Sequence, residues 1–152
     1  MDSNVMTKPD KTSHLVLDKQ ICFSLYSASN AMSRAYQPLL KKLDLTYLQY
    51  IVMMVLWQDS TMNVKALGSK VHLDSGTLTP LLKRLEGKGL IIRARSQEDE
   101  RVRIISLSEE GDKLRQEAEQ VPTDMFCKSK MSIEELNSLK ASCDLLLKNL
   151  TD

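Results

Sequence analysis

The 152-residue sequence predicts a mainly helical (α+β) protein with one β-ribbon near its middle. Apolar residues recur at helical spacing through most of the chain. Ser, Thr, Asn or Asp stands where most of those stretches begin. Only residues 90–107 break the pattern, with two short runs rich in β-branched residues.

Residues 1–12 are polar, contain Pro9 and read as a flexible N-terminal arm. A long first helix follows. Its apolar positions Ile21, Leu25, Ala28, Met32, Ala35 and Leu39 alternate in steps of four and three. Pro38 is expected to kink or end it. Thr46 and Gln49 form a capping-box pattern. They open a second helix whose stretch YIVMMVLW (50–57) is apolar on most faces and so buried on most faces. Asn63 caps a short third helix, VKALGSKV. Asp74 or Ser75 caps a fourth, whose Leu78, Leu81, Leu82 and Leu85 mark one buried face. Gly87 and Gly89 end it. LIIRAR (90–95) and RVRIISL (101–107), joined by SQEDE, form a two-stranded hairpin. Ser108, followed by Glu109 and Glu110, starts another helix, which Pro122 bends or stops. Ser132 and Glu135 form a second capping box. They open a final helix with Leu136, Leu139, Cys143, Leu146 and Leu150 on one seam.

Short helices followed at once by a two-stranded ribbon make a winged helix-turn-helix arrangement. Residues 13–152 then form a single domain, with a winged-helix DNA-binding core at 46–107. The flanks, 13–45 and 108–152, are dimerisation helices. Their seams exceed what the small middle core can cover, so a two-fold homodimer with both chain ends in the interface is expected.

The formal net charge is +1, from 21 basic and 20 acidic residues, so local charge must decide on nucleic acid. No apolar run approaches the ~20 residues of a membrane span. The N-terminal stretch lacks the apolar centre of a signal peptide. No membrane partner and a cytoplasmic location with reduced thiols are expected. His14 and His72 stand apart from each other and from the three cysteines, so no metal or other cofactor is expected. Without a CxxC or a peroxidatic cysteine motif, an enzyme is not expected either.

Opposite its leucines, the fourth helix presents Ser75, Gly76, Thr77, Thr79, Pro80, Lys83 and Arg84. Small hydroxyl residues near a helix N-terminus allow close approach to phosphates and base edges of double-stranded operator DNA. An early Pro80 costs little if it lies in the first turn, where no N–H partner is lost. The hairpin adds Arg93, Arg95, Arg101 and Arg103, with Asp99 placed to orient the Arg101 guanidinium. A basic tip suits a narrow minor groove. The competing reading is a solvated helix beside a charged hairpin, which Glu98, Asp99 and Glu100 partly favour.

The run DSGTLTPLLKRLEGKGLIIRARSQEDERVRIISLSEEG resembles the DNA-binding core of the multiple-antibiotic-resistance regulator (MarR) family. Asp99-x-Arg101, then Leu107-Ser108 and an acidic helix start, carries that likeness. The Cys22 segment, Thr46-Tyr47-x-Gln49-Tyr50, Leu73 to Pro80 and Asp99-Glu100-Arg101 resemble its organic-hydroperoxide branch (OhrR), over roughly residues 15–150. The resemblance implies a dimeric winged-helix repressor of a peroxide-detoxification operon.

Cys22 stands in the first helix with Tyr26 and Tyr36. At ~100° per residue the two phenols lie about 40° either side of the thiol, on one face. Tyr36 is fourteen residues on, ~21 Å of rise, and cannot touch the sulfur of its own helix. A shared site therefore needs a second helix, such as the antiparallel first helix of a partner. By composition alone Cys22 reads as a small buried hydrophobe. The resemblance implies instead a redox-sensing cysteine, hydrogen-bonded by tyrosines matching Tyr36 and Tyr47, with Tyr26 lining the pocket. Phenols donating to sulfur favour the thiolate that attacks a hydroperoxide. Phe23, Leu25 and Met54 are candidate apolar neighbours that would favour organic hydroperoxides as inducers. The two-cysteine class of the branch implies Cys127 as the resolving thiol in an intersubunit disulfide. Cys127 is expected in a joint between helices, and Cys143 in core packing. The alternative is a repressor of the same family gated by a non-covalent phenolic ligand.

Overall fold

The computed structural model describes residues 13–152; the expected arm at 1–12 lies outside the described residues. Two single 3-10 turns, Ser13–Leu15 and Leu17–Lys19, lead into helix α1, Ile21–Lys41. Pro38 lies within α1, and the helix stops three residues after it. Helix α2 (Tyr47–Asp59) opens on the expected capping box, with Thr46 and Gln49 each accepting from the other's backbone N–H. Asn63 caps α3 (Val64–Val71) and Asp74 caps α4 (Ser75–Gly87). Strands β2 (Ile91–Arg95) and β3 (Arg103–Leu107) form the wing. Ser108 caps α5 (Glu109–Ala118), and Ser132, with Glu135, caps α7 (Ile133–Thr151).

The structure adds detail at three places. The sheet has three strands: β1 (Thr61–Asn63) pairs antiparallel with β3, in the order β1-β3-β2. Three residues carry no periodic signal, and the ladder of β3 alone makes them a strand. The helix opened by Ser108 stops ahead of Pro122, at Ala118, and Pro122 stands in the first turn of a further helix, α6 (Val121–Ser129), where its missing N–H costs nothing. Pro80 is the sixth residue of α4, beyond the first turn, so the carbonyl of Gly76 loses its helical partner.

The buried core runs from Leu40 to Val121: most of it lies in the winged head, and Leu40, Leu43, Leu45, Ala118 and Val121 join it from the flanks. Val52, Met53 and Leu56 of α2, Leu67 of α3, Leu78, Leu82 and Leu85 of α4, and Ile105 of β3 are essentially inaccessible to solvent. Each such side chain contributes about 1.5–3 kcal/mol of apolar burial. Two close approaches fix the head. A Cβ on Gly68 would lie 2.9 Å from the Leu73 carbonyl, where α3 turns into α4. A Cβ on Gly111 would lie 2.1 Å from the Leu90 carbonyl, where α5 crosses the base of the wing.

Outside the head the apolar seams are open. Of α1 only Leu40 is buried, and α7 buries nothing. Leu15, Ile21, Met32, Leu139, Leu145 and Leu150 are all exposed.

Candidate nucleic-acid interface and thiol site

Ser75, Gly76, Thr77, Thr79, Pro80, Lys83 and Arg84 all lie on the exposed face of α4, opposite its buried leucines. Asp74 caps the helix by accepting from the Thr77 N–H at 2.8 Å. A cleft of about 760 Å³ lies between α3, the start of α4 and the wing, lined among others by Lys65, Ser69, His72, Arg101 and Arg103. Lys65 was not singled out from sequence, and His72 was weighed there only as a metal ligand. Neither stands in a motif, and only the turn between α3 and α4 brings them to the cleft.

The wing departs from expectation in two places. Asp99 does not orient the Arg101 guanidinium. Its Oδ1 accepts from the Arg101 backbone N–H at 3.0 Å and its carbonyl accepts from the Val102 N–H at 2.9 Å, which tightens the tip. Arg93 is occupied within the head: its Nη2 lies 2.9 Å from Glu86 Oε1 of α4, and its backbone N–H donates to Glu86 Oε2. The Arg93 hydrogen bond holds the Glu86 carboxyl below its usual range, against a smaller opposing effect of burial. Arg95 stands directly opposite Arg103 in the β2–β3 ladder, and both are exposed. Like charges in that register are destabilising unless an anion lies over them. Arg101 projects from the loop beyond, also exposed.

The phenols form a tighter group than the sequence suggested, with different membership. Tyr36 of α1 stacks on Tyr47 at the start of α2, with ring centroids 4.8 Å apart, and meets Tyr50 at 5.9 Å. Burial, and secondarily the neighbouring Tyr47 phenol, pushes Tyr36 above the ordinary 10.0. Burial first, then Tyr36 and Tyr47, does the same for Tyr50. At neutral pH both therefore remain O–H donors. Tyr26 is not in this group. It lies ten residues before Tyr36 on the same helix and is 65% exposed.

All three cysteines are free thiols. Cys22 and Cys127 are exposed, and Cys143 is partly covered. Cys22 occupies the first turn of α1. Phe23 and Met54 are exposed within the single chain, and Leu25 is half-buried. Cys127 lies inside α6, near its end, and not in a joint between helices. The joint is one residue past the helix, where Lys130 adopts a left-handed conformation. Lys128 Nζ donates to the Ala35 carbonyl at 3.3 Å, so Cys127 lies towards the C-terminal half of α1. Ala35 is thirteen residues from Cys22, about 20 Å of helical rise. Among the described residues no His/Cys/Asp/Glu cluster could hold a metal ion, and no helix is long and apolar enough to cross a membrane.

The SarA/Rot transcriptional regulator family matches residues 34–118. The organic hydroperoxide resistance transcriptional regulator of Bacillus subtilis (strain 168) is 47% identical over 93% of this chain and 96% of its own length. Among solved structures, reduced AbfR bound to DNA, from Staphylococcus epidermidis, is 34% identical, with a TM-score of 0.73 over 90% of this chain and 95% of that one. The overoxidised form of AbfR bound to DNA scores 0.72, covering 88% of this chain and 94% of that one, at the same identity. The disulfide-formed AbfR scores 0.60, over 88% of this chain and 89% of that one, also at 34% identity. The winged head, its exposed α4 and these relatives agree: the chain is a DNA-binding transcriptional regulator, not an enzyme, and belongs to the MarR/SarA-type winged-helix family.

Proposed function

We propose that the chain is a redox-sensing repressor that holds operator DNA when reduced and releases it when an organic hydroperoxide oxidises Cys22. It acts as a homodimer, built from residues 13–45 and 108–152, with one α4 per half-site of a pseudo-palindrome. The open seams of α1 and α7 support the dimer, because a lone chain would leave Ile133, Leu145 and Leu150 in water. The α4 hydroxyls together with Lys83 and Arg84 are the major-groove readers, and Arg95 and Arg101 approach the backbone and minor groove.

In the first step the Cys22 thiolate attacks the peroxide oxygen. An S–O bond forms, the O–O bond breaks and the alcohol leaves with a proton. Phenol donors, Tyr36 and Tyr47 foremost, stabilise the thiolate, and Tyr26 covers the thiol from its own helix. In the second step the Cys127 thiol of a second copy attacks the sulfenic sulfur. An S–S bond forms and water leaves.

The observation that carries this reading is the placement of two exposed free thiols towards opposite ends of α1, with the phenol group at the C-terminal end, away from the Cys22 of its own chain. A bond within one chain would require α6 to slide along α1. A bond between antiparallel copies would not. The fit to AbfR on DNA, reduced or overoxidised, is better than the fit to disulfide-formed AbfR, which supports a DNA-competent arrangement without the disulfide. Replacement Cys22→Ser tests the reading. The mutant should bind operator like wild type and stay bound under cumene hydroperoxide. Release of that mutant by peroxide would remove Cys22 as the sensor.

A further inference from the structure

Lys88 follows the last residue of α4 and is not among the residues that face DNA or the thiol. Its ammonium points away from the reading face, to the turn between α1 and α2. It donates to the Asp44 carbonyl, lies 3.2 Å from Gln49 Oε1 and 3.5 Å from the Asp44 carboxylate. Gln49 is 3% exposed, and the same Oε1 already accepts from the Thr46 N–H. One lysine thus gathers acceptors from the α1–α2 turn and from the capping box that starts α2.

Both ends of this linkage are tied into neighbouring structure. Asp44 has φ +52, a left-handed conformation that few non-glycine residues adopt, within a turn closed by the Asp44 N–H on the Lys41 carbonyl and the Leu45 N–H on the Leu40 carbonyl. Tyr47, the residue after the capping Thr46, is stacked on Tyr36. At the other end the Lys88 N–H closes α4 on the Arg84 and Glu86 carbonyls, and Gly89 and Leu90 donate back to Glu86 and Leu85. Glu86 in turn holds the wing through Arg93. A shift of the phenol group that moves Thr46 and Gln49 therefore pulls the end of α4, and α4 takes the wing with it.

We propose that Lys88 is the positioning residue that transmits the state of the Tyr36–Tyr47 pair to the recognition helix. This rests on the redox reading above. An ordinary fold-stabilising lysine would contribute equally to both states. A transmitting one sets the difference between them.

The test measures operator Kd for full-length wild type, Lys88→Met and Lys88→Arg, before and after cumene hydroperoxide. Thiol oxidation is followed separately by alkylation, and thermal midpoints are recorded. Lys88→Met is expected to oxidise as wild type does, yet to lose about tenfold or more of the oxidised-to-reduced ratio of Kd, the usual size of such couplings. Lys88→Arg, which keeps the charge, should restore most of that ratio. A Lys88→Met ratio equal to wild type overturns the proposal. So does an equal loss of affinity in both states with a lowered thermal midpoint, or failure of Lys88→Arg to rescue. If peroxide does not release the wild type, the redox reading itself falls, and that outcome is distinct from all of these.

Discussion

Tyr36 and Tyr47 stack with ring centroids 4.8 Å apart and planes tilted by 33°, so α1 and α2 meet through two phenols. If Tyr47 donates to the Cys22 thiolate of a second copy, Tyr47→Phe should keep the stack and lose the donor. A hydrogen bond to a charged group is worth about 1.5–3 kcal/mol, so thiol loss to cumene hydroperoxide should slow at least roughly tenfold. Stopped-flow thiol titration checks this, and an unchanged rate would take Tyr47 out of the thiol site.

The same group sets a pH signature. Tyr36 and Tyr50 are both raised above 10.0 in the fold, so the native state holds their protons longer than the unfolded chain. Their contribution to stability is complete below the unfolded value and is lost as pH rises through the folded one. Absorbance at the tyrosinate band should show a late-titrating fraction above pH 10, which a Tyr36→Phe, Tyr50→Phe double variant removes.

The wing arginines should separate by salt dependence. Arg101 and Arg95 are exposed, so Arg101→Ala or Arg95→Ala should weaken operator binding and lower the log Kd versus log salt slope by about 1 each. Arg93 is neutralised by Glu86 at 2.9 Å, so Arg93→Met should leave the slope unchanged even if wing placement suffers. Equal slope changes for Arg93 and Arg101 would contradict this division.

Gly111 makes a stability prediction. An added Cβ would sit 2.1 Å from the Leu90 carbonyl, a backbone atom that cannot rotate away. Gly111→Ala should cost on the order of 1–3 kcal/mol by overpacking. Chemical denaturation with an unchanged midpoint would show that α5 can shift freely.

Much of the architecture was legible because capping is local. Thr46, Asn63, Asp74, Ser108 and Ser132 each accept from a backbone N–H three residues on, as their side chains and positions implied. The failures are non-local. Thr61–Asn63 becomes a strand only because β3 lies beside it. Helical angle gave Tyr36 a direction on α1, but its neighbours within the chain come from α2, so Tyr50 was not seen beside it. Arginine count marked the wing as basic, and only the fold reveals that Arg93 is already paired.

Trp57, the chain's single tryptophan, donates its indole N–H to the Gly111 carbonyl at 2.8 Å and is 8% exposed. It therefore sits where the reading head meets the first of the C-terminal helices, bonded to the one position where α5 has no room to spare. The protein thus contains its own optical gauge. Any slip of α5 against α2 breaks that bond or wets the indole, and the emission of one buried fluorophore records it without a label.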